Sequence, residues 1–181
     1  MSRIPLVSID TAPAASQPIL QAIHGAFGVT PAMFRAVANS PAALSSMWNS
    51  FGALGSGRLG ARLGELIAVA VANYNDCHYC LAAHTALGRK AGASSAELSE
   101  AQQGRSDDPR TAAALDFALK VVSKRAQVDA ADVDALRAAG FDDGEVVELL
   151  AHVALNLFTN YINVAFDVPV DFPAVALRKA A

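Results

Sequence analysis

The sequence predicts an all-α fold, a single-domain helical bundle. Three observations predict it. Apolar residues recur three and four apart along most of the chain, proline and glycine punctuate these stretches at starts and ends, and no run alternates apolar and polar residues between hairpin turns. At 181 residues, with no long polar or Pro/Gly-rich linker, residues 1–181 are expected to form one domain. Hydrophobic residues make up 53% of the chain and charged residues 17%, an apolar excess that predicts surface buried between subunits, hence a homo-oligomer.

Residues 1–18 hold Pro5, Pro13 and Pro18, which deny them a continuous helix and predict an extended N-terminal arm. Ile19, Leu20, Ile23 and Phe27 then show helical spacing up to Gly28. Thr30-Pro31 offers an N-cap followed by proline at the first helical position, opening a short helix to about Asn39. Ser40-Pro41 repeats that signal, and Leu44, Met47, Trp48, Phe51 and Leu54 form a stripe read as packing, closed by Gly55-Ser56-Gly57. Leu59 to about Tyr74 is apolar on both sides and predicts a helix buried all round. Asp76 is the expected cap of a helix reaching Lys90 and ending at Gly92. Three shorter helices follow: Ser94 or Ser95 to about Gln103, Pro109 to about Arg125, and Asp129 to Ala139. The last helix, about Asp143 to Phe166, carries Glu148, His152, Asn156, Asn160 and Asn163 on one polar stripe, most simply a solvated or subunit-facing strip, with a cavity lining as the alternative.

Several function classes are excluded at this stage. No apolar stretch reaches the roughly 20 residues that span a bilayer. A net charge of −3 without a Lys/Arg cluster gives no footprint for nucleic acid or an anionic membrane surface. The first 18 residues lack the apolar core of a secretory signal, so a cytoplasmic location is expected.

Both cysteines lie in Cys77-His78-Tyr79-Cys80, directly after the most apolar segment. In a reducing compartment such a pair is redox-active or metal-binding rather than a structural staple. A tetrahedral zinc site needs four ligands; Cys77, Cys80 and His84 supply three, leaving Glu65 or His78 as the fourth. A c-type haem needs histidine directly after the second cysteine, where this chain has Leu81. Cys80 and His84 are four apart on a helix, so the imidazole lies beside the sulfur, while Cys77 sits at the helix N-terminus. The two effects favour different cysteines as the low-pKa thiol. Either way, attack by one thiolate on an electrophile and capture of the oxidised sulfur by the other makes a disulfide cycle. His84 is the candidate acid or base, and Glu65, in a wholly apolar helix, requires a partner.

Glu65, Cys77-x-x-Cys80 twelve residues on, and His84 after three more resemble the Glu, Cys-x-x-Cys-x-x-x-His signature of the alkyl hydroperoxidase D branch of the carboxymuconolactone decarboxylase superfamily. The likeness is strongest over Leu59 to Gly92 and recurs in Asn156 to Pro173. It implies an all-helical subunit, assembly as trimers or hexamers, and thiol-dependent hydroperoxide reduction without haem or metal. It assigns Cys80 as peroxidatic, Cys77 as resolving, and Glu65 with His84 as a proton relay. It also implies re-reduction by an external dithiol, a lipoyl-bearing adaptor protein or a small thiol. The best-known branch carries a further histidine just before its second cysteine; this chain has Tyr79 there, with His78 one place earlier. Two other readings fit the same residues: a non-enzymatic, redox-responsive oligomer, and a lyase or isomerase using Glu65 and His84 as acid and base.

Overall fold

Helix starts in this chain are set by side-chain caps and prolines, and the order of elements follows from them. The computed structural model describes residues 2–178; Met1, in the expected arm, and residues 179–181, at the end of the expected domain, lie outside the described residues. Among the described residues the elements are α1 (Gln17–Phe27), α2 (Ala32–Val37), α3 (Pro41–Gly55), α4 (Gly60–Tyr74), α5 (His78–Lys90), α6 (Ser95–Ala101), α7 (Pro109–Ser123), α8 (Ala130–Ala138) and α9 (Asp143–Ala165), with no strand. Ser40 caps α3, Asp108 caps α7, and Ser94, Asp129 and Asp142 form capping boxes with the acidic residue three places on.

The centre of the bundle is α4, whose residues Leu66–Asn73 are all buried, as its two-sided apolar pattern predicts. It packs on α5, α6, α7 and α9. Fully buried Ile67, Val69 and Val71 contribute about 1.5–3 kcal/mol each, so this helix is the main apolar anchor of the fold. No side chain caps its first turn. The Glu148 carboxylate of α9 holds the turn just before it, accepting from Arg58 N and Leu59 N, both at 3.0 Å. A Cβ at Gly57 would collide with that carboxylate, so the chain needs glycine there.

Two expected caps are corrected. Thr30 does not cap α2; Pro31 occupies the cap position, and the free Ala32 N–H donates to Asp171 Oδ2 of the C-terminal tail at 2.6 Å. Asp76 does not cap α5. It lies at φ 53°, with Asp76 N bonded to Asn73 O and Cys77 N to Ala72 O, the 5→2 and 6→1 pair of a Schellman motif closing α4. An aspartate is among the few non-glycine residues that tolerate this left-handed conformation. The helix therefore ends and the next begins without a loop between them, and the cap of α5 is Cys77 itself.

Both ends of the chain are tied to the bundle. Arg3 donates to the carbonyls of Val164 and Ala165 and its N–H to Phe166 O, satisfying the end of α9, while Arg35 holds the carbonyls of Leu6 and Val7. The tail after α9 is clamped by Asn73, which bonds both N and O of Arg178, and by Gln102, which donates to Ala176 O at 2.7 Å. These contacts fix where Asp171 and Phe172 fall.

The largest departure from expectation is the orientation of α9. Asn156, Asn160 and Asn163 are 5%, 0% and 4% exposed, so the polar stripe faces inward rather than toward solvent or a subunit. The outer face instead carries exposed Val147, Leu150, Tyr161 and Val164.

Candidate active site

Cys77 caps α5 with its sulfur, which accepts from Cys80 N at 3.2 Å, and the two cysteines are joined as a disulfide with their Cα atoms 5.4 Å apart. The three-residue spacing across the first helical turn puts the Cα atoms within the range that a disulfide spans. Both sulfurs are nearly inaccessible from the surface, each residue being 1% exposed.

One turn on from Cys80, His84 Nδ1 stands 2.8 Å from Glu65 Oε2 of α4. This is the partner that a half-buried carboxylate in an apolar helix demands. Their contact depends on close approach of α5 to α4 and α6: a Cβ at Gly88 would lie 2.7 Å from Leu98 and 3.5 Å from the Cβ of Glu65. Glu65, Cys80 and His84 line one cavity of about 560 Å³. The rest of its wall is largely aromatic. Phe34 meets Trp48 edge-on at 5.9 Å and Phe51 at 6.0 Å, and Tyr79 meets Phe172 edge-on at 5.7 Å. Trp48 and Phe51, read from sequence as packing alone, thus also wall the cavity.

Two residues near the cysteines resolve otherwise than their positions suggest. Tyr79, where the resembled branch has histidine, donates no proton to the site: its hydroxyl accepts from Met33 N at 3.3 Å, and burial pushes the phenol far above its ordinary value, so it stays neutral. His78 is exposed and lies in a different cavity. Cys77, Cys80, His84 and Glu65 are therefore drawn close together, while His78 is not part of that group. Among the described residues no group of three or more His, Cys, Asp and Glu side chains is placed to hold a metal ion.

Asn163, which the sequence reading placed on the polar stripe but not at the cysteines, is the further residue that meets them. From α9 its Nδ2 donates to Cys80 Sγ at 3.1 Å, and its Oδ1 is buried without a partner. A neighbouring amide, Asn160 Oδ1, accepts from Asn75 Nδ2 at 2.9 Å, tying α9 to the turn before the cysteines. The signal was present as a polar stripe on an apolar helix; what it lacked was the direction the stripe faces. Deeper along the same stripe, His152 packs against Gly64, where a Cβ would stand 3.2 Å from the imidazole. Burial holds His152 below its ordinary value, against the opposing charges of Glu148 and Glu65 and with the repulsion of His84.

Fold and site together define a helical disulfide protein in which one cysteine of the pair, Cys80, lines an apolar cavity shared with a histidine-carboxylate pair. Residues 41–124 match the sequence profile of the Carboxymuconolactone decarboxylase family. An alkylhydroperoxidase-core, peroxidase-related protein of Ralstonia eutropha JMP134 shares 27% identity over 94% of this chain and 92% of that one, with a TM-score of 0.85. An uncharacterized peroxidase-related protein of Silicibacter sp. TM1040 shares 25% over 93% and 91%, with a TM-score of 0.82. A structure of the debrominase Bmp8, in complex with 2,3,4-tribromopyrrole, has the same fold at 19% identity over 93% and 91%, with a TM-score of 0.78. No protein of curated description matches the sequence. Residues 41–124 thus carry the carboxymuconolactone decarboxylase family domain, and the likeness of the whole chain to peroxidase-related structures supports the alkyl hydroperoxidase D-like branch of that superfamily.

Proposed function

We propose that the protein is a thiol-dependent peroxidase that reduces an apolar organic hydroperoxide. The observation that carries this reading is the disulfide-forming pair in which Cys80 shares its cavity with the hydrogen-bonded His84 and Glu65. In the reduced protein the Cys80 thiolate attacks the distal oxygen of ROOH. The O–O bond breaks, the alkoxide takes the proton that His84, held by the Glu65 carboxylate, has drawn from the Cys80 thiol and leaves as ROH, and Cys80 becomes a sulfenic acid. The Cys77 thiol then attacks Cys80 Sγ, water leaves, and the disulfide closes. An external dithiol returns two electrons and two protons. Asn163 Nδ2 favours the thiolate by a charge-assisted hydrogen bond. The aromatic wall favours a bulky apolar R group over hydrogen peroxide.

No helix among the described residues is long and apolar enough to cross a membrane. We place the cycle in the reducing cytoplasm, where a dithiol donor is at hand. The exposed apolar face of α9 supports assembly into a homo-oligomer, with Val147 and Tyr161 the most exposed of its large residues at 67% and 61%. Peroxide-dependent consumption of dithiothreitol tests the activity: it vanishes in Cys80→Ser and falls steeply in His84→Ala, whereas unchanged turnover in Cys80→Ser contradicts it.

A further inference from the structure

The two sulfurs of the disulfide face different cavities. Cys80 lines the aromatic cavity with Glu65 and His84; Cys77 lines a second, of about 420 Å³, between the start of α5 and the segment that follows α9. Tyr79 borders both and forms the partition, held by its bond from Met33 N and its edge contact with Phe172. Neither sulfur is accessible from the open surface, so each is approached through its own cavity.

We propose that the external dithiol reopens the disulfide from the Cys77 side, through this second cavity, while peroxide is confined to the Cys80 side. This rests on the disulfide cycle proposed above. The wall beside Cys77 is mixed, with the aliphatic Val164, Val168, Pro169 and Val170 on the side of the segment after α9 and the polar His78 and Asn163 beside the disulfide. Asp76 and Asp167, both exposed, flank it and disfavour anionic thiols. A donor thiolate attacking Cys77 Sγ forms a mixed disulfide there and expels Cys80 as the thiolate. That leaving sulfur is the one already bonded by Asn163 Nδ2, and a better-stabilised thiolate leaves faster. The donor's second thiol then attacks the mixed disulfide, releasing the Cys77 thiol and a cyclic donor disulfide. Attack on Cys80 would instead expel Cys77 and require the donor to occupy the peroxide's cavity. The two-cavity arrangement lets product departure and re-reduction overlap.

The test separates the two half-reactions by stopped flow, using dithiothreitol to reduce the oxidised protein and cumene hydroperoxide to oxidise the reduced one. Val170→Trp and His78→Trp, at exposed positions on two sides of the second cavity, are expected to slow reduction about tenfold or more, with oxidation changed less than about twofold. Ala53→Trp, at an exposed position lining the aromatic cavity, is expected to do the reverse. Reduction slowed by Ala53→Trp and by neither of the other two variants, or both half-reactions slowed equally by all three, overturns the proposal. Failure of cumene hydroperoxide to oxidise the wild-type thiols would refute the peroxidase reading alone, because reduction by dithiothreitol still reports the side of attack.

Discussion

Replacing Asn163 by leucine separates what the amide does for the Cys80 thiolate from what it does for the fold. Asn163 Nδ2 lies 3.1 Å from a sulfur whose residue is 1% exposed, so a thiolate there has little water to stabilise it. A hydrogen bond to a charged acceptor contributes about 1.5–3 kcal/mol, against about 1 kcal/mol for a neutral one. The difference, about 1–2 kcal/mol, favours thiolate over thiol and amounts to about one pKa unit. The stability of the oxidised protein should respond quite differently. The substitution removes one neutral hydrogen bond but also the buried, unpartnered Oδ1, whose burial costs about 1–3 kcal/mol. Leucine is close in volume, so the urea midpoint of the oxidised protein is expected to hold or rise. The assay is iodoacetamide labelling against pH in Cys77→Ser, where Cys80 is the only thiol, with and without Asn163→Leu. The inflection is expected about one unit higher in the double variant, with labelling about tenfold slower below it. An unmoved inflection in a folded double variant refutes the role given to Asn163.

Three further outcomes follow from the geometry. Glu65→Gln keeps an acceptor for His84 but removes the charge, and peroxide-driven thiol loss is expected to fall about 10²-fold or more in single-turnover measurements, whereas a change of a few-fold contradicts the relay. His152 is held below its ordinary value of 6.5, so the folded protein binds fewer protons than the unfolded chain. Stability is full above that pH and declines as pH falls below it, at up to about 1.4 kcal/mol per pH unit, until the folded imidazole itself protonates. His152→Gln should flatten this limb in urea titrations between pH 7.5 and 5.5; an identical slope in the variant excludes His152 as its source. Glu148, held low because the amides of Leu59 and Arg58 outweigh its burial, loses its contribution only in more acid solution, below the carboxylate range. Asp171→Ala removes the side chain that accepts from Ala32 N and should cost about 1 kcal/mol in urea, largely restored by Asn in place of Ala; no loss in the alanine variant contradicts the capping role.

Much of this molecule was legible in its sequence because helices announce themselves locally. Ser40-Pro41, Asp108-Pro109 and Ser94 with Glu97 carry their own start signals, and the structure begins helices at each. The two-sided apolar pattern of α4 required burial, and an apolar helix required a partner for Glu65; His84 supplies it. What failed was what depends on residues distant in the chain. Asp76 reads as a cap until the Schellman bonds to Asn73 and Ala72 are seen, and the cap of α2 comes from Asp171, far along the chain. The polar stripe of α9 was visible, but periodicity shows only that two faces differ, not which faces inward. Here Glu148 accepts from the amides of the turn before α4, and Asn163 donates to Cys80, so the polar face is inside. The apolar face is left outside, with Val147, Leu150, Tyr161 and Val164 exposed among the described residues.

The most direct test of the central claim, that Cys80 attacks and Cys77 resolves, is to trap the oxidised sulfur when it cannot be captured. Reduced Cys77→Ser and Cys80→Ser proteins are each treated with one equivalent of cumene hydroperoxide and a sulfenic-acid reagent, and the adducts are mapped by peptide mass. The account predicts an adduct on Cys80 in Cys77→Ser and none on Cys77 in Cys80→Ser. An adduct that forms on Cys77 in Cys80→Ser, with Cys80 unmodified in Cys77→Ser, would contradict it.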